Sequence, residues 1–432
     1  MQSTTARALV GLLLTTTALT ACSGTGGDSP ELSLLLVDQA STKELQSTLI
    51  PRFEKSTGIK VNVELVPESG MDAKLALSLS NNSNQYDVVM TGAKNWSTLV
   101  ASKWIKPLDE YVNDPKTAPK DYLGGFPGQL LETIKSGGHY YAMPYQVGAD
   151  ILFYNKKMFT AAGLDPSKPP KDMNELIETA RRLTKADRSQ AGFVGRGTRE
   201  GNENSFTWIM MWFLNGGHWA EPGANAKYDV LTEKPALTTA DQYKRLMSEY
   251  APKGAAGYGF AEAQLAMQQG KAAMWLDAAQ LGPALEDKNA SKIAGDVGYS
   301  VLRGTGEDYI VGAVWAFSMT STARDPKRAW ELIKYLTGKD VAVSQAVSGT
   351  NGSPGRTDAL ADPAVGQKFN PEFVKALQEA IAHANPRYTP LIPEGTQIRS
   401  ALSLALSKVL SGEAGTEAAM KEADDAIRKI MQ

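Results

Sequence analysis

The feature that most constrains this chain is its alternation of short apolar runs with amphipathic stretches. Leu32–Val37 is an apolar run of strand length, and Val61, Val63 and Leu65 alternate with Asn62 and Glu64 at the two-residue period of a strand. Between them Ser41-x-x-Glu44 has the form of a capping box. It predicts a helix running towards Thr57 with Gly58 as its stop, bent or split by Pro51. Met71–Leu79 reads as helix, Tyr86–Met90 as a third strand and Trp96–Ser102 as helix. A second series follows Pro144: Ile151–Tyr154, Phe193-Val194, Ala272–Leu276, Val297–Leu302 and Val311–Met319 as strands, with Asp172-x-x-Glu175 capping a helix to about Lys185. Further helices are expected at Ser205–Leu214, Thr239–Tyr250, Ala261–Gln269 and Pro326–Leu336, the last with Pro in its first turn. Pro371–His383 and Ile398–Met431 read as helical. Such alternation predicts an α/β architecture with mostly parallel sheets.

Size then divides the chain. Its 432 residues exceed what one compact core accommodates, so two domains are expected. A hydrophobic content of 42%, a charged content of 21% and a formal net charge of −2 are ordinary for a soluble protein and give no reason to expect nucleic acid. The single cysteine, Cys22, ends the run Leu19-Thr20-Ala21-Cys22, behind Arg7 and the apolar residues Leu9, Val10, Leu12, Leu13 and Leu14. This is the layout of a secretory signal, too short for a membrane span of about 20 residues. Leu-Thr-Ala-Cys resembles the bacterial lipobox, in which the cysteine is lipidated and becomes the mature N-terminus. Residues 1–21 are therefore expected to be a signal peptide and 22–30 a lipidated, flexible tether. The remainder would be extracytoplasmic and anchored to the cell membrane. With Cys22 so used, no intrachain disulfide can form, and packing alone must stabilise the fold.

Longer stretches carry a resemblance. Ile50–Val61 reads Ile-Pro-Arg-Phe-Glu-Lys-Ser-Thr-Gly-Ile-Lys-Val, followed by Tyr86-Asp87-Val88-Val89, Trp96 and Trp104-Ile105-Lys106-Pro107-Leu108. Then come Tyr141-Ala142-Met143-Pro144-Tyr145 and Leu152-Phe153-Tyr154-Asn155-Lys156-Lys157 before Phe159 and Ala162-Gly163. In this order they resemble the extracellular solute-binding proteins of carbohydrate ABC importers, of the maltose-binding type. Gly195-Arg196-Gly197 and Gly270–Ala278 resemble the members that bind sugar alcohols and monosaccharides. The resemblance implies two α/β lobes joined by hinge strands, with the ligand cleft between them. The crossings would lie near Gln146–Asp150 and Gly312–Trp315. The N-terminal lobe would hold residues 30–146 and about 314–355, and the C-terminal lobe about 147–313 and 356–432. It also implies ABC permease subunits and a cytoplasmic ATPase as partners, with the binding protein a monomer.

A sugar or polyol presents hydroxyls at its edges and C–H patches on its faces. Aromatic plates and planar charged or amide groups suit it, on loops at the carboxyl ends of strands. Asn95 and Trp96 follow the third strand, although Trp96 could equally be core. Tyr145, Gln146 and Asp150 fall at the first crossing, where Asp150 could instead cap hinge backbone groups. Arg196 stands between two glycines, which would let a ligand approach the backbone. Trp275 and Asp277 close an apolar strand, and Asp277 could alternatively cap the following helix. Trp315 interrupts the apolar run of the second crossing, with stacking or simple burial as its two readings. In the turn Gly349–Arg356, Asn351 and Arg356 match a family loop whose arginine reaches the cleft.

Other classes fit less well. His139, His218 and His383 have no metal-ligand spacing, no Gly-x-Ser-x-Gly elbow occurs, and no cofactor motif is present. A secreted glycoside hydrolase would need a carboxylate pair, which 47 acidic residues make uninformative without geometry. A binder of another small polar solute (an oligosaccharide, a glycerophosphodiester, a peptide or a polyamine) on the same fold stays open.

Overall fold

A computed structural model describes residues 31–432 except 82, 93–94, 221–225, 307–308 and 386. The expected signal peptide (residues 1–21), Cys22 and the expected tether lie outside the described residues. The described residues form ten strands: β1 (Leu32–Val37), β2 (Val61–Val66), β3 (Val88–Gly92), β4 (Lys135–Ser136), β5 (His139–Tyr140), β6 (Met143–Asn155), β7 (Met274–Ala278), β8 (Val297–Ser300), β9 (Ile310–Met319) and β10 (Ala384–Asn385). One sheet runs in the order β2-β1-β3-β9-β6-β7, with β10 added on β9 and β8 on β6. β1 pairs in parallel with β2 and β3, as the alternation predicts. The long strands differ: β9 is antiparallel to β3, and β6 is antiparallel to β7, β8 and β9. In the second lobe parallel pairing is reduced to the short β10–β9 contact (384–385 with 310–311) and the isolated bridges Ala191↔Ala272 and Val194↔Trp275.

This arrangement follows from two strands that serve both lobes. β9 gives residues 315–319 to β3 and residues 310–311 to β10. β6 gives residues 143–149 to β9 and 150–155 to β7 and β8. The stretches 146–149 and 312–315 pair directly with one another, so the two expected crossings form one antiparallel ribbon. All thirteen residues of β6 and all ten of β9 are buried. That explains why these runs lack the polar alternation of a half-exposed strand.

Local chemistry sets the ends of the elements. The first helix begins at Ala40 rather than behind Ser41. There the Gln39 N–H donates to Thr42 Oγ1 at 3.1 Å, so Thr42 does the capping expected of Glu44. The helix splits as Pro51 requires: a π-helical turn over Leu45–Leu49 precedes the segment Ile50–Thr57, in which Pro sits in the first turn. Gly58 ends it at φ +73°, a left-handed stop that favours glycine. Asp172 accepts from the N–H groups of Asn174 and Glu175, opening helix 173–183 as expected. The C-terminal stretch breaks at Gly412 into helices 395–411 and 416–430.

Candidate functional site

The two lobes deliver opposite walls of one narrow cavity. Gln39 and Glu68 stand just past the ends of β1 and β2, at the carboxyl edge where open α/β sheets place ligands. Glu68 lies in the first turn of helix 68–80, a favourable position for a carboxylate. The opposing wall is built from Arg196, Glu203 and Phe206 of helix 203–214, Phe260 of helix 260–268, and Gln280 just after β7. Tyr388 and Arg399 join it from the C-terminal segment, and Ala313 and Trp315 of β9 supply the floor. The lobes touch at the rim, where the Thr98 hydroxyl donates to the Pro393 carbonyl at 2.8 Å. A Cβ on Gly201, at φ +58°, would lie 2.6 Å from the Ser69 Cα, so this approach requires glycine.

Arg196 organises the site. Its Nε donates to Asp277 Oδ2 at 2.9 Å and its Nη2 to Oδ1 at 2.5 Å, a bidentate fork that fixes the guanidinium plane. Nη1 faces the cavity, 3.6 Å from Glu68 Oε1 and 3.5 Å from Glu203 Oε2. The guanidinium lies 4.5 Å from the Phe206 ring centre and 5.5 Å from that of Phe260. Its backbone is held as well: the Tyr243 hydroxyl donates to the Arg196 carbonyl, and the Arg196 N–H donates to Thr207 Oγ1. Arg399 is committed differently, donating to Ser205 Oγ and the Asn202 carbonyl.

The acids outnumber their cation, and the surplus shows in their protonation. Glu203 accepts the Phe260 N–H at 2.7 Å. Burial first, then the charge of Glu68, pushes its carboxyl up to about 7 despite Arg196. Asp150, one residue out of register from Asp277 on the paired strand, accepts the Val311 N–H through Oδ2. Its Oδ1 has no partner among the described residues. Burial first, then the charge of Asp277, raises the Asp150 carboxyl well above the usual range.

The structure brings some of the expected residues together and separates others. Arg196 and Trp315 line the cavity, and Asp277 sits directly behind Arg196. Gln146 lies one step away, accepting from Gln39 Nε2 at 2.8 Å and donating to Ser41 Oγ at 2.9 Å. Asp277 is not the N-cap of the next turn, which is Ala278, and does not reach solvent; both of its oxygens accept from Arg196, and Oδ1 also accepts the Ala278 N–H at 2.8 Å. Gly195 and Gly197 do not open the backbone to a ligand. A Cβ at 197 would meet the Ala255 carbonyl oxygen at 2.2 Å, so the glycine admits the protein's own chain.

The remaining expected residues lie off the cavity. Tyr145 packs on Phe317 and bonds Gln345. Trp275 is wholly buried against Phe153. Trp96 is buried and donates to Thr91 Oγ1, while Asn95 bonds Asp72 at the rim. Asn351 is buried and accepts the Ser353 N–H beside the hinge strand. Arg356 pairs with Asp358 and donates to the carbonyls of Tyr122 and Thr337. It is drawn into the packing of the β1–β3 side because Gly125 leaves a gap there that its guanidinium fills.

Gln39, Glu68, Glu203, Phe206, Phe260, Gln280, Tyr388 and Arg399 were not singled out from the sequence. The carboxyl-end rule that selected Asn95 after the third strand would have found Gln39 and Glu68 after the first two. Tyr388 and Arg399 carry no local signal.

Comparison with known proteins agrees with the two-lobed fold. The family model described as bacterial extracellular solute-binding protein matches residues 37–343. A mannitol-binding protein of Pseudomonas aeruginosa is 26% identical over 399 residues, 85% of this chain and 87% of that one. An erythritol/L-threitol-binding protein of Mycolicibacterium smegmatis is 24% identical over 315 residues, 70% of this chain and 65% of that protein. Among solved structures, an ABC transporter solute-binding protein of Agrobacterium radiobacter in complex with ribitol superposes with a TM-score of 0.83 at 26% identity. That match covers 92% of this chain and 98% of the other.

Proposed function

The chain belongs to the bacterial extracellular solute-binding proteins, and from that premise we propose that it captures a sugar alcohol or monosaccharide between its lobes without altering it. The observation that carries this reading is the interlobe cavity built around Arg196. There a fixed guanidinium, planar amides (Gln39, Gln280) and aromatic faces (Phe206, Phe260, Trp315) converge. These groups match vicinal hydroxyls and C–H faces. Relatives that bind mannitol, erythritol or threitol, and ribitol support the polyol class. A polyamine stays the rival reading, because the carboxyls of Glu68 and Glu203 line the same cavity as Arg196 and Arg399.

In this reading Cys22 carries the lipid that anchors the protein to the cell membrane, and the closed monomer hands its ligand to an ABC permease driven by a cytoplasmic ATPase. The first lobe comprises residues 30–146 and about 314–355, and the second about 147–313 and 356–432. The bonds of Arg356 and Thr357 to Tyr122, Thr337 and Gly125 argue for extending the first lobe through helix 363–368. A thermal-shift screen of polyols, monosaccharides, amino acids and polyamines tests the reading, since a bound ligand stabilises by RT ln(1 + [L]/Kd). A polyol or monosaccharide should raise Tm and be recovered unchanged. A shift with polyamines or amino acids alone would overturn it.

A further inference from the structure

The cavity holds more acceptors than donors. Arg196 spends Nε and Nη2 on Asp277 and divides Nη1 between Glu68 and Glu203. Glu68 and Glu203 come from opposite lobes, so lobe closure itself brings their two carboxylates to one cation. A further acceptor stands beside them. Gln280 is 9% exposed, lines the same cavity, and its Oε1 has no hydrogen-bond partner among the described residues. A buried amide oxygen without a partner is costly unless a ligand donates to it. The nearby cation, Arg399, already donates to Ser205 and Asn202.

We propose that Glu68 and Glu203 make this site selective for uncharged, hydroxyl-rich ligands and exclude their anionic relatives, the aldonic and uronic acids and the sugar phosphates. The inference rests on the polyol reading above and adds a rule of charge to it. A hydroxyl can donate to Glu68, Glu203 or Gln280 while accepting from Arg196. A ligand carboxylate in its place can donate to none of them and faces Glu68 and, above about pH 7, the ionised Glu203 as like charges. At the effective dielectric of such sites, repulsion of this kind weakens binding about a hundredfold. The proton-rich state of Glu203 fits this picture, since the acids already crowd one another before any anion enters.

The experiment is calorimetric titration of the full chain with matched pairs: ribitol and ribonate, D-mannitol and D-mannonate, erythritol and erythronate. It is repeated in Glu68→Gln and Glu203→Gln at pH 8, where each variant's melt reports its folding. The native protein should bind at least one polyol about 100-fold more tightly than its acid. Each glutamine variant should cut that ratio about tenfold. An acid bound within threefold of its polyol, or a ratio unmoved in both variants, overturns the charge rule and leaves the polyol reading standing. If none of the polyols binds, the reading and the charge rule fall together.

Discussion

Two buried arginines of this protein are built alike and do different work. Arg196 is forked to Asp277 and lies over Phe206 and Phe260. Arg356 is forked to Asp358 and lies over Phe126 and Tyr122. Each is about as buried as the other. What separates them is the third donor. In Arg356 it ends on two backbone carbonyls, each at 3.4 Å, so the guanidinium is spent inside packing. In Arg196 it faces a cavity and two more carboxylates, one of them from the opposite lobe. An arginine in a glycine-rich turn therefore says nothing about function until its last donor is placed.

The largest expected difference concerns the carboxylates behind the two guanidiniums. Asp277 is fully buried, so Asp277→Ala leaves a buried cation short of its partner and should cost about 3–5 kcal/mol of stability. It should also weaken polyol binding, because the guanidinium plane is no longer fixed. Denaturant melts and titration measure both. A variant with full stability and full affinity would mean that Asp277 is a bystander.

The next contrast is in pH dependence, where the two sites should have opposite signs. Glu203 is pushed up to about 7 from the ordinary 4.5. Its contribution to stability is fully present below about 4.5 and is lost as pH rises through 7, by an amount on the order of 3 kcal/mol. Asp358 has burial working against it, but its bond to Arg356 prevails and holds it below the ordinary value. That contribution is present above the unfolded value and is lost as pH falls. Glu203→Gln keeps the acceptor for the Phe260 N–H, so it should raise Tm at pH 8 and leave it nearly unchanged at pH 4. A rise of the same size at both values would remove the charge-crowding account.

The smallest effects come from conservative replacement of the arginines. Arg196→Lys should weaken polyol binding about 10- to 100-fold, because an ammonium cannot reproduce the planar fork. Arg356→Lys should lower stability by about 1–2 kcal/mol through lost hydrogen bonds and leave Kd within about threefold. Titration and melting of the pair decide the comparison directly. Equal losses of affinity in both variants would place Arg356 at the cleft after all.

Much of the fold was legible because it depends on local patterns. Asp172 and Glu175 marked a helix start, Gly58 a stop and Pro51 a break, since each acts through its own backbone within a few residues. The site was legible only in part. Arg196 stood out between two glycines and Asp277 as an acid closing an apolar strand. Their partnership did not, because 81 positions separate them in the chain. Trp275 and Tyr145 read as plates for a ligand and turned out to be core, for an aromatic ring serves either purpose with the same chemistry.

The sequence by itself determined the alternation of strand and helix, the long apolar run Val311–Met319, and the residue types available for a polar cleft. Only the tertiary structure decided that β6 and β9 pair antiparallel as one ribbon, and that Glu68 and Glu203 meet at Arg196. It alone also sent the last donor of Arg356 into packing. The reason is physical: periodicity and capping act over a few residues, whereas burial, ion pairing and the protonation of a carboxyl are set by whatever the folded chain brings within a few ångströms.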